Sequence, residues 1–113
     1  MPIPNAEQAI IAPEKLREYL LSPDHPRGQY KAHFFNRLGF SAVSWERLEH
    51  ALRSQHLVLD PAAAVDSQFG RVFVIRGPLT GPAGEMAPVV TVWIIREGEN
   101  VPRLVTAYPG VRR

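Results

Sequence analysis

Residues 88–96 read Pro-Val-Val-Thr-Val-Trp-Ile-Ile-Arg, a nearly unbroken run of β-branched and aromatic side chains. Such a run is typical of a central β-strand, because these side chains pack well on a pleated surface. The next residues, Glu97-Gly98-Glu99-Asn100, predict a tight turn, and residues 103–108 predict a partner strand. A connection this short makes neighbouring strands antiparallel. The second half of the chain is therefore predicted to be an antiparallel sheet.

Residues 68–76, Gln-Phe-Gly-Arg-Val-Phe-Val-Ile-Arg, predict another strand of this sheet. Residues 77–84 are rich in Gly and Pro and predict a loop, and residues 60–64, Asp-Pro-Ala-Ala-Ala, predict a connector. The sheet half is thus expected to cover residues 68–109, with about four mostly antiparallel strands.

The first half of the chain predicts about three helices instead. Pro13 begins the first, at a position where its missing N–H costs nothing, and this helix extends to about residue 21. The second is predicted from residue 29 to Gly39, and the third follows Ser44 and extends to about residue 56. The predicted fold class is α+β, in a single domain over residues 1–113, with an extended arm at 1–12 and a helical half at 13–57.

Composition limits the chemistry that this chain can perform. Its 113 residues include no Cys, so disulfides and thiolate chemistry are excluded, and its four His form no paired zinc motif. We expect neither a metal nor a cofactor. No apolar run approaches the ~18–20 residues that span a bilayer, and the first residues do not resemble a signal peptide. We therefore expect a soluble protein of the cytoplasm, or one delivered into a target-cell cytoplasm within a larger toxin.

The charge balance is mildly basic and unevenly distributed. The formal net charge is +2, and 11 of the 13 basic residues are Arg, which suits bidentate recognition of phosphate. Residues 1–60 hold seven acidic and seven basic side chains, whereas residues 61–113 hold four acidic and six basic ones. This pattern indicates either an ordinary solvated surface or a face for an anionic ligand on the sheet half.

The first candidate site is the segment 25–33, His-Pro-Arg-Gly-Gln-Tyr-Lys-Ala-His, where a loop meets the second helix. The free N–H groups of a helix N-terminus attract phosphate, and Arg27 and Lys31 would add positive charge. His25 could move a proton, since imidazoles titrate near neutrality. The alternative interpretation is a solvated loop and helix surface.

The second candidate site lies on the sheet. Thr91 and Thr106 occur in apolar strands that pair across the hairpin, and Arg103 and Tyr108 flank Thr106. Arg76 adds a further positive charge. Strict alternation along the last strand divides its side chains into two faces, Leu104, Thr106 and Tyr108 on one and Arg103, Val105 and Ala107 on the other. These hydroxyls would either line a shallow cleft or simply satisfy hydrogen bonds inside the sheet.

The order of segments resembles an uncharacterised bacterial family, a domain of unknown function that occurs alone and at the C-termini of polymorphic toxins. The matching stretches are residues 3–6, 13–16, 19–21, 25–26, 28, 31–32, 35, 38–39, 77–79, 81–82, 84, 91–95 and 102–109. Lys31 falls in the Lys-Ala pair of the helix, and Thr106 and Tyr108 fall in the closing strand. The layout is similar to the barnase, colicin D/E5 and RelE group of ribonucleases, a fold-level analogy.

The positive sheet half beside the basic helix junction, in a chain without Cys, together with this analogy indicates a metal-independent endoribonuclease that cleaves RNA, such as tRNA, by attack of the 2′-OH. Lys31 or Arg103 would stabilise the charge on the phosphorane, and His25 would be the general acid or base. Thr106, Thr91 and Tyr108 would position the phosphate, while Arg27 and Arg76 would bind the substrate. An acidic immunity protein or antitoxin is the expected partner. The alternative function is a non-enzymatic interaction module, such as an immunity protein, an antitoxin or a phage-related accessory domain.

Overall fold

A computed structural model describes residues 1–110, and in this range three helices precede one four-stranded sheet. The predicted α+β fold class is confirmed. The helices are α1 (Pro13–Lys15, continued by a π-helical turn over Leu16–Leu20), α2 (Gln29–Arg37) and α3 (Trp45–Ala51, continued by a π-helical turn over Leu52–His56). The strands are β1 (Ala63–Ser67), β2 (Gly70–Thr80), β3 (Met86–Arg96) and β4 (Arg103–Pro109).

The sheet is an antiparallel meander with strand order β1-β2-β3-β4, so β1 and β4 form its edges. The run predicted as a central strand is β3, which pairs with β2 and β4. Its alternate side chains Val89, Thr91 and Trp93 are all buried. They lie on the face that the helices cover, where Thr91 contacts His56, although Val90 on the opposite face is also buried.

The sheet begins earlier and its long hairpin extends further than the sequence predicts. Ala63 and Ala64, predicted as part of a connector, belong instead to strand β1, Ala63–Ser67, whose side chains are all exposed. Residues 77–80, predicted as a loop, continue β2 as far as the pair between Thr80 and Met86. Gln55 fixes this end, because its side chain bonds the Thr80 carbonyl at 3.1 Å and the Thr80 N–H at 2.7 Å.

A β-bulge interrupts the alternation that the sequence predicts for β4. Leu104 pairs with Trp93 and Thr106 pairs with Val92, so Val105 is the extra residue. Leu104 and Ala107 are consequently both buried, although strict alternation assigns them to opposite faces. The bulge therefore changes the direction in which Thr106 leaves the edge strand.

Gly39 ends α2 as predicted. Its φ of 99° is left-handed, and its N–H bonds the carbonyl of Asn36 at 3.0 Å. The N–H of Phe40 reaches back to the carbonyl of Phe35 at 3.1 Å. These two bonds make a Schellman motif, which satisfies the last carbonyls of the helix and turns the chain sharply.

The first twelve residues, predicted as an extended arm, contribute several apolar side chains to the core. Ile3, Ala6 and Ile11 are buried, and Ala6–Gln8 form a 3-10 turn. Ile10 makes a parallel bridge with Arg103, with backbone bonds of 2.8 and 3.0 Å on either side of it. Across residues 1–110, none of the helices has the length and apolar character that crossing a membrane requires.

Candidate functional site

An open groove of about 750 Å³ lies between α1, the start of α2 and the edge strand β4. It brings together residues that are far apart in sequence. The groove is lined by Ala12, Glu14, Lys15, Glu18, Tyr19, His25, Arg27, Lys31, Val105 and Thr106. The two lysines of the chain, Lys15 and Lys31, both belong to it.

Lys31 is the centre of the groove's hydrogen bonding. Its ammonium group donates to the hydroxyl of Tyr19 and, at 3.0 Å, to the hydroxyl of Thr106. The two hydroxyl oxygens are 3.4 Å apart. Lys31 Nζ also lies 4.8 Å from the centroid of the Tyr19 ring. The Lys31 ammonium group therefore links α2 to the π-helical turn that follows α1 and to strand β4.

Two backbone features allow the side chains of Lys31, Tyr19 and Thr106 to meet. A Cβ on Gly28 would lie 2.1 Å from the carbonyl oxygen of Tyr19, so only glycine permits the start of α2 to approach the turn that carries Tyr19. On the other side, the bulge at Val105 sets the direction of Thr106. The groove depends on both features.

Tyr19 is the side chain whose ionisation the groove changes. Burial raises the pKa of Tyr19, but hydrogen bonds with Lys31 and Thr106 and the positive charges of Lys31 and Lys15 act in the opposite direction. Together they outweigh burial, and the net pKa lies below the ordinary value of 10.0. The phenolate form of Tyr19 is thus more accessible than that of a solvated tyrosine.

His25 stands beside Tyr19 in an edge-to-face contact, with ring centroids 5.0 Å apart. Its Nδ1 accepts the backbone N–H groups of Arg27 at 3.0 Å and Gly28 at 3.1 Å. A neutral imidazole that accepts at Nδ1 carries its proton on Nε2. His25 therefore presents its Nε2–H as a donor.

The remaining charges of the groove have both signs. Lys15 Nζ lies 5.7 Å from the centroid of the Tyr19 ring, and Arg27 is exposed on the lining. Glu14 and Glu18 also line the groove, but Glu18 is paired with Arg17 at 3.3 Å. Three cations, Lys15, Arg27 and Lys31, thus line the groove against two carboxylates, and they come from the helical half rather than from the sheet half that the charge count favoured.

Four residues predicted for the site, Arg76, Thr91, Arg103 and Tyr108, are not part of the groove lining. Arg103 lies beside the β3–β4 hairpin, where it bonds Glu99 at 2.9 and 3.3 Å and lowers the pKa of that carboxyl group. Tyr108 pairs with Val90 further along β4. Arg76 is exposed on β2, beside a different surface depression.

Thr91, predicted as a binding residue, is fully buried and lines no cleft. Its hydroxyl accepts the indole N–H of Trp93 at 2.9 Å and lies 2.9 Å from Nδ1 of the buried His56. His56 Nε2 is 3.2 Å from the carbonyl of Gly77, so it carries the proton and Thr91 donates to Nδ1. Burial lowers the pKa of His56, and the bond to Gly77 only partly offsets this.

Sequence reasoning missed Tyr19 and Lys15 as members of the site. Tyr19 has the spacing of Leu16 and Leu20, so the helical pattern assigned it to the apolar face. The available signal was the spacing from Lys15 to Tyr19, which places both on one side of a helix. Lys31, His25, Thr106 and Arg27, by contrast, are brought together.

Beside this groove, the described residues offer a second groove but no metal cluster. Within residues 1–110, no group of three or more His, Cys, Asp or Glu side chains is arranged to hold a metal ion. A second groove of about 620 Å³ lies between α3 and the end of β2. Its lining combines the apolar Phe40, Ala51 and Pro82 with the titratable Glu46, Arg47 and His50. Its Gln55 side chain is engaged by the backbone of Thr80.

Comparison with known proteins gives one family and a fold neighbour. The model of a family described as a domain of unknown function (DUF6883) matches residues 2–111. No curated protein matches the chain. A chain from the contact-dependent growth inhibition toxin–immunity protein complex of Klebsiella pneumoniae 342 superposes with a TM-score of 0.61 at 18% identity, over 89% of this chain and 99% of that one. At this identity the similarity is one of fold.

Proposed function

Because the chain belongs to the family described as a domain of unknown function (DUF6883), which assigns no activity, we propose a function from the groove itself. The protein is a metal-independent endoribonuclease of the bacterial toxin type. The observation that carries this proposal is the joining of Lys31, Tyr19 and Thr106 in an open groove beside the N–H donor of His25.

The reaction uses a nucleophile that RNA itself supplies. The 2′-oxygen attacks the adjacent phosphorus and forms a new O–P bond, while the bond from phosphorus to the 5′-oxygen of the next nucleotide breaks. The products are a 2′,3′-cyclic phosphate and a free 5′-OH. The protein has to remove one proton, supply another and stabilise the negative phosphorane.

Tyr19 is the general base of this reaction. Its lowered pKa makes the phenolate accessible, and the phenolate takes the proton of the 2′-OH. The proton that the 5′-oxygen gains comes from an ammonium group of the groove, and Lys15 is the candidate because its Nζ lies 5.7 Å from the Tyr19 ring.

Lys31 binds the charge that develops on the phosphorane. An ammonium group has three N–H donors, and Tyr19 and Thr106 engage two of them. The third is left for a phosphate oxygen. Nε2–H of His25 and the Arg27 guanidinium donate to the remaining oxygens, so His25 positions the phosphate instead of transferring a proton.

The fold neighbour supports a setting for such an enzyme. It comes from a complex of a toxin with its immunity protein, so this fold occurs in a toxin–immunity pair. We expect an acidic inhibitor protein to cover the groove, because opposite charge accelerates capture and neutralises Lys15, Arg27 and Lys31. Delivery into a target cell's cytoplasm follows from the same setting.

The first experiment is to incubate the purified chain with total tRNA in EDTA. We expect discrete fragments that end in a cyclic phosphate. Lys31→Ala and Tyr19→Phe should each lower the rate by about 10²-fold or more, since one removes the phosphate donor and the other the base. RNA that stays intact at high protein concentration, free of bound inhibitor, would exclude this activity.

Two variants outside the groove serve as matched controls. Tyr108→Phe removes the same hydroxyl as Tyr19→Phe from a residue that is absent from the groove lining. Arg103→Ala removes a cation that is engaged by Glu99. Both should cleave RNA at the wild-type rate, and a loss in either one equal to that of Lys31→Ala would remove the groove from its assigned role.

The second candidate is a non-enzymatic partner module, such as an immunity protein. The specific observation in its favour is that the neighbouring complex contains a protein of that type beside the toxin. Expression of the chain alone in a bacterial host separates the two functions. An RNA-cleaving toxin arrests growth and its Tyr19→Phe variant does not, whereas a partner module leaves growth unchanged in both forms.

A further inference from the structure

Tyr30 is an aromatic side chain that the core does not use. Two aromatic residues of the described chain are exposed, Tyr30 with 81% of its surface accessible and Phe69 with 67%. The others are buried or half-buried. Phe69 lies at the tip of the β1–β2 hairpin, distant in the sheet from the β4 edge. Tyr30 instead lies on the helix that carries Lys31.

The position of Tyr30 continues the cationic side of the groove. It directly precedes Lys31 in α2 and follows Arg27, a lining residue, by three positions. Each helical residue rotates by ~100°, and Ala32 and Phe35 define the buried side of α2. Lys31 therefore lies at the flank that faces the groove, whereas Tyr30 lies outside the groove lining, on the solvent side of α2. A polymer that continued from Lys31 across the exposed side of α2 would meet the Tyr30 ring.

A flat, accessible ring near the proposed phosphate-binding groove suits one kind of ligand. Unpaired nucleobases stack on aromatic side chains, and this stacking tolerates any sequence because every base has a π-face. The bases of a duplex are already stacked on one another and cannot cover such a ring. A groove that combines phosphate donors with an aromatic platform therefore favours single strands and loops.

We propose that Tyr30 is a stacking platform for an unpaired base next to the bound phosphate, and that the substrate class is single-stranded RNA. The proposal rests on the proposed function for the identity of the polymer. It adds the strandedness of the substrate and a residue that binds it outside the reacting groups.

The test uses fluorescent 2′-O-methyl RNA, which cannot be cleaved because it has no free 2′-OH. Affinities are measured by anisotropy for a single-stranded oligomer and for a duplex of the same length. Tyr30→Ala should weaken single-strand binding about tenfold, and Tyr30→Trp should keep it. Phe69→Ala is the matched control and should bind like wild type. The duplex should bind more weakly and respond little to Tyr30→Ala.

The binding measurement tests the role of Tyr30 independently of whether the protein cleaves RNA. Equal single-strand affinities of wild type and Tyr30→Ala overturn the platform, as does an equal loss on the duplex or absence of any binding. Cleavage of unmodified RNA by wild type is measured in parallel. If wild type cleaves RNA and Tyr30→Ala binds normally, the platform is wrong and the nuclease stands. If Tyr30 governs binding but no cleavage occurs, the platform stands and the nuclease is wrong.

Discussion

A single ammonium group, that of Lys31, determines what the neighbouring hydroxyls of the groove can do. It bonds Tyr19 on one side and Thr106 on the other, and its charge favours the anionic form of Tyr19. The same type of residue on an open surface would be a solvated cation of little consequence. Lys31 differs from the surface arginines because its hydrogen-bond partners, Tyr19 and Thr106, come from distant segments of the chain. Its residue type alone does not make this difference.

Ionisation of Tyr19 can be followed directly. The difference in ultraviolet absorbance between wild type and Tyr19→Phe gives the Tyr19 phenolate as pH is raised. We expect its midpoint below 10.0, and we expect Lys31→Ala to move it upward, because both a hydrogen bond and a positive charge are lost. Lys15→Ala removes a charge alone and should cause a smaller upward shift. Identical midpoints in wild type and Lys31→Ala would contradict the coupling.

His56 links stability to pH through the core rather than the groove. Its pKa is lowered by burial, so below about pH 6.5 the unfolded chain binds a proton that the folded chain does not. The free energy of unfolding should therefore decrease as the pH falls from 7 to 5. The slope from this one group approaches ~1.4 kcal/mol per pH unit at most.

Urea unfolding of wild type and His56→Gln at several pH values measures this contribution. The variant is less stable at pH 7, because the hydrogen bonds to Thr91 and Gly77 are disturbed, by about 1–3 kcal/mol. Its stability should nevertheless depend less on pH between 7 and 5. Parallel pH curves for the two proteins would exclude His56 as the source.

At the scale of elements, the groove exists because α1 and α2 approach each other at Gly28. A Cβ there would lie 2.1 Å from the Tyr19 carbonyl oxygen, a backbone atom that moves only with its whole turn. The turn carries Tyr19, and the helix that follows Gly28 carries Lys31. The distance between the turn and α2 therefore sets the distance between the side chains of Tyr19 and Lys31.

Gly28→Ala should push these elements apart. We expect a loss of about 1–3 kcal/mol in unfolding free energy, together with a fall in RNA cleavage larger than the unfolded fraction explains. Gly98→Ala is the control, since a Cβ there meets nothing within 4 Å and only its φ of 82° is strained. That variant should lose some stability and keep its activity per folded molecule. Full activity in Gly28→Ala would contradict the dependence on spacing.

At the scale of the whole molecule, the net charge of +2 hides a local concentration of cations. The sheet half is the more basic by count, yet Lys15, Arg27 and Lys31 all come from residues 1–60. Folding collects them on one side of the molecule, where a polyanion would release its counterions on binding.

The salt dependence of RNA binding measures this local charge. With about three phosphate contacts, the logarithm of the affinity for uncleavable single-stranded RNA should fall with the logarithm of salt concentration with a slope of about −2. Lys31→Ala should reduce the magnitude of the slope by about 0.7, and Arg103→Ala should leave it unchanged. A slope near zero in wild type would show that the groove makes no phosphate contacts.

Local pattern predicted much of this molecule, and long-range contacts explain the rest. The β-branched run of β3 and the glycine at the end of α2 identified their elements without any partner. β1 was missed because Ala63–Ser67 is exposed throughout and has no apolar alternation, so only pairing with β2 makes it a strand. In the site, His25 and Lys31 were found through their local clustering. Tyr19 was not, because its partner Thr106 is 87 residues away and is directed by a bulge.

The 87-residue separation between Tyr19 and Thr106 has a consequence for the order in which the groove forms during synthesis. Tyr19 and Lys31 leave the ribosome long before Thr106, and β4 is the last of the strands to be synthesised. Until β4 docks, the groove lacks one wall and the Lys31 ammonium lacks one of its oxygen partners. The order of synthesis therefore makes closure of the sheet the step that completes the groove.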